Sequence, residues 1–219
     1  SFKKHKNIFN FKGIQENYIT SDFESQIDTG KMMHRLLSLV QSNNINILNS
    51  VTVENYSENI NSISLQTNLF EFKTKKLIIA TNGFAAQLIN EDIKPARAQV
   101  LITKPIPNLK IKGTFHLDEG YYYFRNIENR ILFGGGRNLD FDTEETTVLG
   151  ETALVQNTLE KMLKDIILPD SDFVIDQRWS GIMGMGEQKR PIVKQISENV
   201  YYGIRLGGII SFLVLNSNK

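Results

Sequence analysis

The run Lys76-Leu77-Ile78-Ile79-Ala80, closed by Thr81-Asn82-Gly83, constrains the fold of this chain more than any other feature. An unbroken apolar run bounded by a turn signal suits a strand covered on both faces, as strands of a parallel sheet are. Upstream lies a helical pattern. Asp28 and Thr29 offer an N-cap, and Met32, Met33, Leu36, Leu37, Leu39 and Val40 recur at helical spacing as far as Asn43-Asn44. That stripe is expected to face a core. Between helix and apolar run, residues 45–48, 51–56, 63–67 and 70–73 read as short strands, the last two alternating apolar and polar as half-exposed strands do. Helix, antiparallel excursion and buried strand make one α/β crossover with an inserted meander. Residues 1–27 carry only short apolar pieces and no clear element.

Pro95 marks a change of pattern, which places a domain boundary between residues 90 and 96. Beyond it, residues 99–103, 120–125 and 130–133 predict antiparallel strands, and Asn126-Ile127-Glu128-Asn129 supplies a hairpin turn. A helix is expected over 147–167, with Leu149, Ala153, Leu154, Leu159, Met162, Leu163 and Ile166 on its apolar side and Pro169 to stop it. Residues 173–175 and 200–204 are further strands. The second half is therefore an antiparallel sheet carrying a long helix.

Composition narrows the chemistry. The 219 residues include no cysteine, which excludes disulfides, thiolate nucleophiles, cysteine-ligated zinc and a cysteinyl link to a cofactor. His5, His34 and His116 lie too far apart for metal-ligand spacing, and His34 reads as a surface or packing residue on the first helix. A net charge of +1 with no basic stripe gives no reason to expect nucleic acid, and Lys3, Lys4 and Lys6 read as a solvated end. The apolar stretch 209–215 is too short to span a bilayer. No signal peptide is visible, although the chain opens with Ser1, and the expected location is cytoplasmic.

Four segments in order resemble the FAD-dependent oxidoreductases of the D-amino-acid, glycine and sarcosine oxidase type. Glu24-Ser25-Gln26-Ile27-Asp28-Thr29-Gly30-Lys31 is similar to the family's approach to its mid-chain helix. Leu77 to Phe84 resembles the strand that ends beside the cofactor's pyrophosphate. Lys94-Pro95-Ala96-Arg97-Ala98-Gln99-Val100 is like the family's Pro-x-Arg-Gly-Gln segment, with Ala98 where glycine is usual. Trp179-Ser180-Gly181, Arg190-Pro191-Ile192 and Arg205-Leu206-Gly207-Gly208 resemble the Trp-x-Gly segment and the glycine-rich loop over the flavin. Each is weak alone, and together they span residues 24–208.

The resemblance implies a fold of class α/β plus α+β: a partial, Rossmann-like FAD-binding domain over 1–93, an antiparallel substrate domain with a long helix over 94–178, and a return to the first domain over 179–219. It implies non-covalent FAD and a small-molecule amine or amino-acid substrate. The reaction it implies is hydride transfer from a C–H beside a substrate nitrogen, which needs no protein nucleophile or metal. Homo-oligomerisation is left open. Ala80, Thr81 and Gly83 end a strand in small residues, where a ligand can approach the backbone, with a plain tight turn at Asn82-Gly83 as the alternative. By resemblance the cofactor set adds Val53, through its backbone at the adenine, with Gly181, Arg205, Leu206, Gly207 and Gly208 at the flavin; a core valine and a surface arginine at a strand end are the alternatives for Val53 and Arg205. Tyr121, Tyr123 and Arg125 alternate on one strand and would share a face, so Tyr123 and Arg125 are substrate-pocket candidates, with a sheet-packing tyrosine as the alternative. Arg137, after Gly134-Gly135-Gly136, is a further candidate, although such glycines also mark turns and bulges.

The sequence departs from the family at three places. No Gly-x-Gly-x-x-Gly turn between strand and helix occurs, so the chain is expected to be a fragment or to share its nucleotide-binding half with another polypeptide. Met183 stands where amino-acid oxidases often carry an arginine for the substrate carboxylate, which leaves Arg125, Arg137 or Arg205 for that role or a substrate that is not a simple α-amino acid. Ile210 stands where another glycine is usual, and the tail reads as truncated or altered. The competing expectation is a non-catalytic substrate-domain scaffold that pairs with a separate nucleotide-binding chain.

Overall fold

The computed structural model describes residues 2–23, 25–188 and 190–206. Along the chain run β1 (Phe2–Lys6), β2 (Asn17–Ser21), α1 (Thr29–Ser42), β3 (Val53–Asn59), β4 (Ser62–Thr67), β5 (Glu71–Thr74) and β6 (Leu77–Ile79). After a 3₁₀ turn come β7 (Lys94–Thr103), β8 (Thr114–Leu117), β9 (Tyr122–Ile127), β10 (Arg130–Gly135), α2 (Phe141–Glu144) and α3 (Ala153–Met162), the last continued by one π-helical turn. β11 (Ile175–Met185), β12 (Ile192–Gln195) and β13 (Val200–Ile204) follow. The chain divides into two units that alternate in sequence. One comprises 1–46, 98–141 and 149–180; the other comprises 47–97, 142–148 and 181–219.

The first unit is built on a five-stranded sheet of order β11-β7-β10-β9-β8. The expected β9–β10 hairpin forms, its turn at 127–130 one residue later than the 126–129 tetrapeptide, pairing Ile127 with Arg130. One sheet face carries Leu101, Phe124, Ile131 and Phe133, which cluster with Val155, Leu159, Leu163 and Ile167 from α3 and its π turn. The helix begins at Ala153, later than the apolar pattern suggests. Gly150 sits at φ +142°, a conformation closed to helix, and Thr152 then caps the amide of Val155. β9 likewise starts late, because Asp118, Glu119 and Gly120 are all left-handed and hold Tyr121 in a turn. Tyr121 therefore leaves the face it was expected to share with Tyr123 and Arg125, and its ring lies 6.2 Å from that of Phe141. The β1–β2 hairpin has no counterpart in the sequence reading, since β1 is wholly exposed and leaves no burial pattern.

Asp28 caps α1 as expected, accepting from the Lys31 amide at 3.0 Å. That amide, and more weakly the charges of Lys31 and Arg125, hold its carboxyl below the ordinary range. The stripe on α1 is a correction. None of the helix is buried, and Met33, Leu36, Leu37 and Leu39 face outward, Met33 at 59% exposure. Periodicity shows that a helix has an apolar face; it does not show what covers it.

The second unit holds two three-stranded sheets, β3-β4-β5 and β12-β13-β6. The first is an antiparallel meander in register Tyr56↔Leu65 and Leu65↔Phe72. Residues 45–48 are not a strand; Asn44 and Ser50 are both left-handed, and strand pairing waits until Val53. In the second sheet β6 runs parallel to β13, with Leu77, Ile78 and Ile79 opposite Val200, Tyr201 and Tyr202. The expectation that β6 is covered on both faces fails on one side. Ile79 is buried with Ile63, Leu65, Val200, Tyr202 and Ile204, whereas Ile78, on the opposite face of the strand, is 72% exposed.

Arg97 and Glu144 form a buried pair in this unit. Arg97 Nε donates to Oε2 at 2.8 Å and Nη2 to Oε1 at 2.9 Å, with the Glu144 side chain 1% exposed. A paired buried charge is tolerated only while both members remain. Glu144→Ala should therefore cost about 3–5 kcal/mol of unfolding free energy, and Arg97→Met with Glu144→Ala together should cost less than Glu144→Ala alone. Denaturant titrations of the two variants check this.

Candidate functional site

Parallel pairing puts the C-terminal ends of β6 and β13 at one sheet edge, the location where open α/β sheets take ligands. Continuing the register sets Arg205 opposite Asn82. Asn82 is left-handed at φ 48°, and its side-chain carbonyl accepts from the Leu206 amide at 3.1 Å. Ala80 and Thr81 are exposed at this edge and leave the backbone open. The sequence reading did not single out Asn82 as a site residue. The signal was present in Asn82-Gly83, since asparagine is among the few residues that enter the left-handed region readily.

Gly83 is small for an internal reason. A Cβ there would lie 2.4 Å from the Met183 carbonyl oxygen, so β11 fills the space beside it. Gly184 in turn lies under the Asn82 side chain, where a Cβ would meet Oδ1 at 2.6 Å. Gly181 is different: nothing lies within 4 Å of its absent Cβ. Val53 opens β3, pairs with Thr67 and packs against the core of its unit, on a sheet separate from β6.

Arg205 is also left-handed, at φ 55°. Its Nη1 donates to Asp92 Oδ2 at 2.5 Å and to the Asp92 carbonyl at 3.0 Å, and its Nε donates to the Arg190 carbonyl at 2.8 Å. Its charge is matched within the unit. Nearby, Lys194 and Tyr202 both donate to Glu91, and they hold that carboxyl below its ordinary range. Gly207 and Gly208 lie outside the described residues.

The substrate-pocket candidates divide between the units, with Met183 in the second and Tyr123, Arg125 and Arg137 in the first. Tyr123 and Arg125 lie on the sheet face opposite the Phe124 core. Tyr123 pairs with Gly134 across β10, and a Cβ on Gly134 would sit 2.8 Å from both Cζ and the hydroxyl oxygen of Tyr123. The phenol thus rests on glycine, and burial raises its pKa. Arg125 Nη1 donates to the Ile27 carbonyl, just ahead of α1, and Gln26 Nε2 donates to the Asn126 carbonyl at 2.7 Å. Arg125 Nε is buried and has no acceptor. Arg137 follows the left-handed Gly136 and holds its guanidinium 4.8 Å from the Phe141 ring centre. A hollow of about 220 Å³ between residues 106–111 and 167–171 contains none of these candidates.

The chain combines an antiparallel five-stranded sheet with a separate sheet that holds a parallel strand pair ending in small residues. The family model for FAD-dependent oxidoreductases of the DAO type matches residues 9–209, and the chain belongs to that family. Solved structures agree in fold. L-proline dehydrogenase from P. horikoshii superposes with a TM-score of 0.67 at 20% identity, covering 83% of this chain and 50% of that one. Glycine oxidase from Geobacillus kaustophilus gives 0.59 at 18% identity, over 75% and 47%. NikD, an unusual amino acid oxidase essential for nikkomycin biosynthesis, gives 0.78 at 12% identity, over 98% and 63%. The chain thus spans about half the length of the first two. No curated protein matches the sequence. Among the described residues, no helix is long and apolar enough to cross a membrane, and no group of three or more His, Asp or Glu could hold a metal ion.

The glycines yield a prediction. Gly83→Ala forces a Cβ onto a backbone carbonyl and should cost about 1–3 kcal/mol, whereas Gly181→Ala, in open space, should stay within about 0.5 kcal/mol of the parent. Chemical unfolding of the two variants side by side measures the contrast.

Proposed function

We propose that this chain is the part of an FAD-dependent oxidoreductase that walls the flavin and builds the substrate domain, and that the enzyme oxidises an amine or amino acid. The observation that carries the reading is the sheet edge where Asn82 Oδ1 meets the Leu206 amide, with Ala80 and Thr81 open beside it. These residues fit a phosphate or flavin neighbour, because exposed small side chains at a strand end allow close backbone approach. FAD is held non-covalently in this reading; the chain has no cysteine, so a thioether link to it is excluded. When bound, FAD supplies the acceptor for a hydride from the C–H bond beside the substrate nitrogen. The substrate nitrogen also loses a proton, and water hydrolyses the resulting imine.

The residue roles are as follows in this reading. Ala80, Thr81 and Gly181 leave room for the cofactor, and Val53 meets it through the backbone. Asn82 and Gly83 hold the edge in shape. Arg205, Leu206, Gly207 and Gly208 form the loop toward the flavin, with the Arg205 charge already shared with Asp92. On the substrate side, Tyr123, Arg125 and Arg137 are the candidates of the first unit and Met183 that of the second. The Gly-x-Gly-x-x-Gly element that grips the adenosine side is absent from this sequence and has to come from elsewhere, either from the same protein or from a separate polypeptide.

Purification tests this directly. The intact protein should carry a flavin that denaturation releases, and anaerobic mixing with a panel of amines and amino acids should bleach it. Ala80→Phe, at an exposed position, should leave unfolding within about 0.5 kcal/mol of the parent while weakening flavin retention about tenfold or more. Flavin uptake only after a nucleotide-binding polypeptide is added would favour the scaffold reading. Failure to take up flavin under either condition overturns the proposal.

A further inference from the structure

We propose that the side-chain amide of Asn82 does two jobs, its oxygen bracing the Leu206 amide and its Nδ2 donating to an acceptor oxygen of the bound cofactor, a phosphate oxygen or a flavin carbonyl. The inference rests on the reading that FAD lies along this sheet edge, and it adds a side-chain contact to that reading. The partner fixes which way the amide faces. A backbone N–H can only donate, so the Asn82 atom 3.1 Å from the Leu206 nitrogen is Oδ1, and Nδ2 is turned away from it. Gly184 closes on the same oxygen, since a Cβ there would lie 2.6 Å from Oδ1. The oxygen is thus seated in the protein, and the NH2 group is left over. Among the described residues Nδ2 has no acceptor, and the polar side-chain atoms that are both sealed from solvent and unpaired are Arg125 Nε and Asn138 Oδ1. Asn82 Nδ2 is therefore a free donor with a surface that a ligand can reach.

The choice of residue supports the second job. Asn82 sits at φ 48°, which glycine adopts freely, and glycine would also relieve the crowding against Gly184. A bend alone therefore does not call for asparagine. Bracing alone does not call for it either, because an aspartate oxygen would accept from Leu206 at least as well. Of glycine, aspartate and asparagine, which enter the left-handed region most readily, only asparagine sets a neutral donor beside the acceptor. The ligand class follows from that donor, since an N–H takes an acceptor oxygen and turns away a cation or a second donor. Ala80 and Thr81 are short and exposed, so such an oxygen can come within hydrogen-bond reach of the strand end. Arg205, at the facing corner, is already matched by Asp92, so the edge offers hydrogen bonding more than net charge.

The test is calorimetric titration of the intact protein, stripped of flavin, with FAD, ADP and riboflavin, joined to the NMR signals of the Asn82 side-chain NH2. Asn82→Asp keeps the acceptor for Leu206 and the tolerance of positive φ, and exchanges the donor for a second acceptor. It should unfold like the parent and bind FAD roughly 10- to 100-fold more weakly, the scale of a hydrogen bond to a polar or charged ligand oxygen. Asn82→Gly, which loses both halves of the amide, should weaken FAD on the same scale. In the parent, the NH2 protons of Asn82 should move downfield when FAD is added. A loss on ADP that riboflavin does not share assigns a phosphate oxygen, and the converse assigns a flavin carbonyl. If Asn82→Asp binds FAD within about twofold of the parent while Asn82→Gly is impaired, bracing is the sole role and the assignment is overturned. NH2 signals that FAD leaves unmoved overturn it too, and in both cases the oxidoreductase reading stands. A parent that takes up no flavin removes both.

Discussion

Three residues of parallel pairing, Leu77 to Ile79 against Val200 to Tyr202, bring together parts of the chain more than a hundred positions apart. Without that register, the Ala80–Gly83 turn and the Arg205–Leu206 corner are unrelated pieces of sequence. The pairing is stabilised from below by Ile79, Val200, Tyr202 and Ile204 in one apolar cluster, and at its end by the Asn82–Leu206 hydrogen bond. Both corner residues, Asn82 and Arg205, are left-handed, so the two strands leave the sheet by sharp turns at matching levels. The cost of those conformations is modest for asparagine and larger for arginine, and the Asp92 ion pair helps offset the latter.

Much of this was legible in the sequence, and the limits have physical causes. The Asp28 cap, the β9–β10 hairpin, β13 and the antiparallel sheet with its helix all follow from local chemistry: a capping carboxylate, a turn tetrapeptide, a period of two. What failed was whatever depends on the neighbour of an element. Leu36 and Leu37 on α1 have helical spacing whether or not something covers them, and Ile78 reads as core until one face of β6 proves to be open. Boundaries slipped where runs of positive φ postponed regular structure, as at Asp118 to Gly120 ahead of β9 and at Gly150 ahead of α3.

The candidate site was legible as a set of positions and much less as a set of roles. Ala80, Thr81 and Leu206 were placed at one edge by resemblance, and the coordinates give that edge a geometry. Gly83 was read as room for a ligand, yet the group nearest its Cα hydrogens is a carbonyl of the chain itself. No single sequence reveals that, because a glycine required by a cofactor and one required by a neighbouring strand are the same letter. The arginines make a similar point. Arg97, Arg125, Arg137 and Arg205 are indistinguishable in sequence, and only their partners separate a carboxylate bridge, an idle edge, a ring contact and an ion pair.

The two units are threaded through one another along the chain, which passes between them at residues 46, 97, 141, 148 and 180. The short visit from 142 to 148 includes Glu144 and is fastened by Arg97, 47 residues earlier. Neither unit corresponds to a continuous stretch that a ribosome could finish before starting the other. Folding must therefore close several long loops at nearly the same stage, a slow topology that leaves partly assembled strands exposed while it waits. An engineer who wants either half alone would have to rewire the order of its segments, because no single cut separates them.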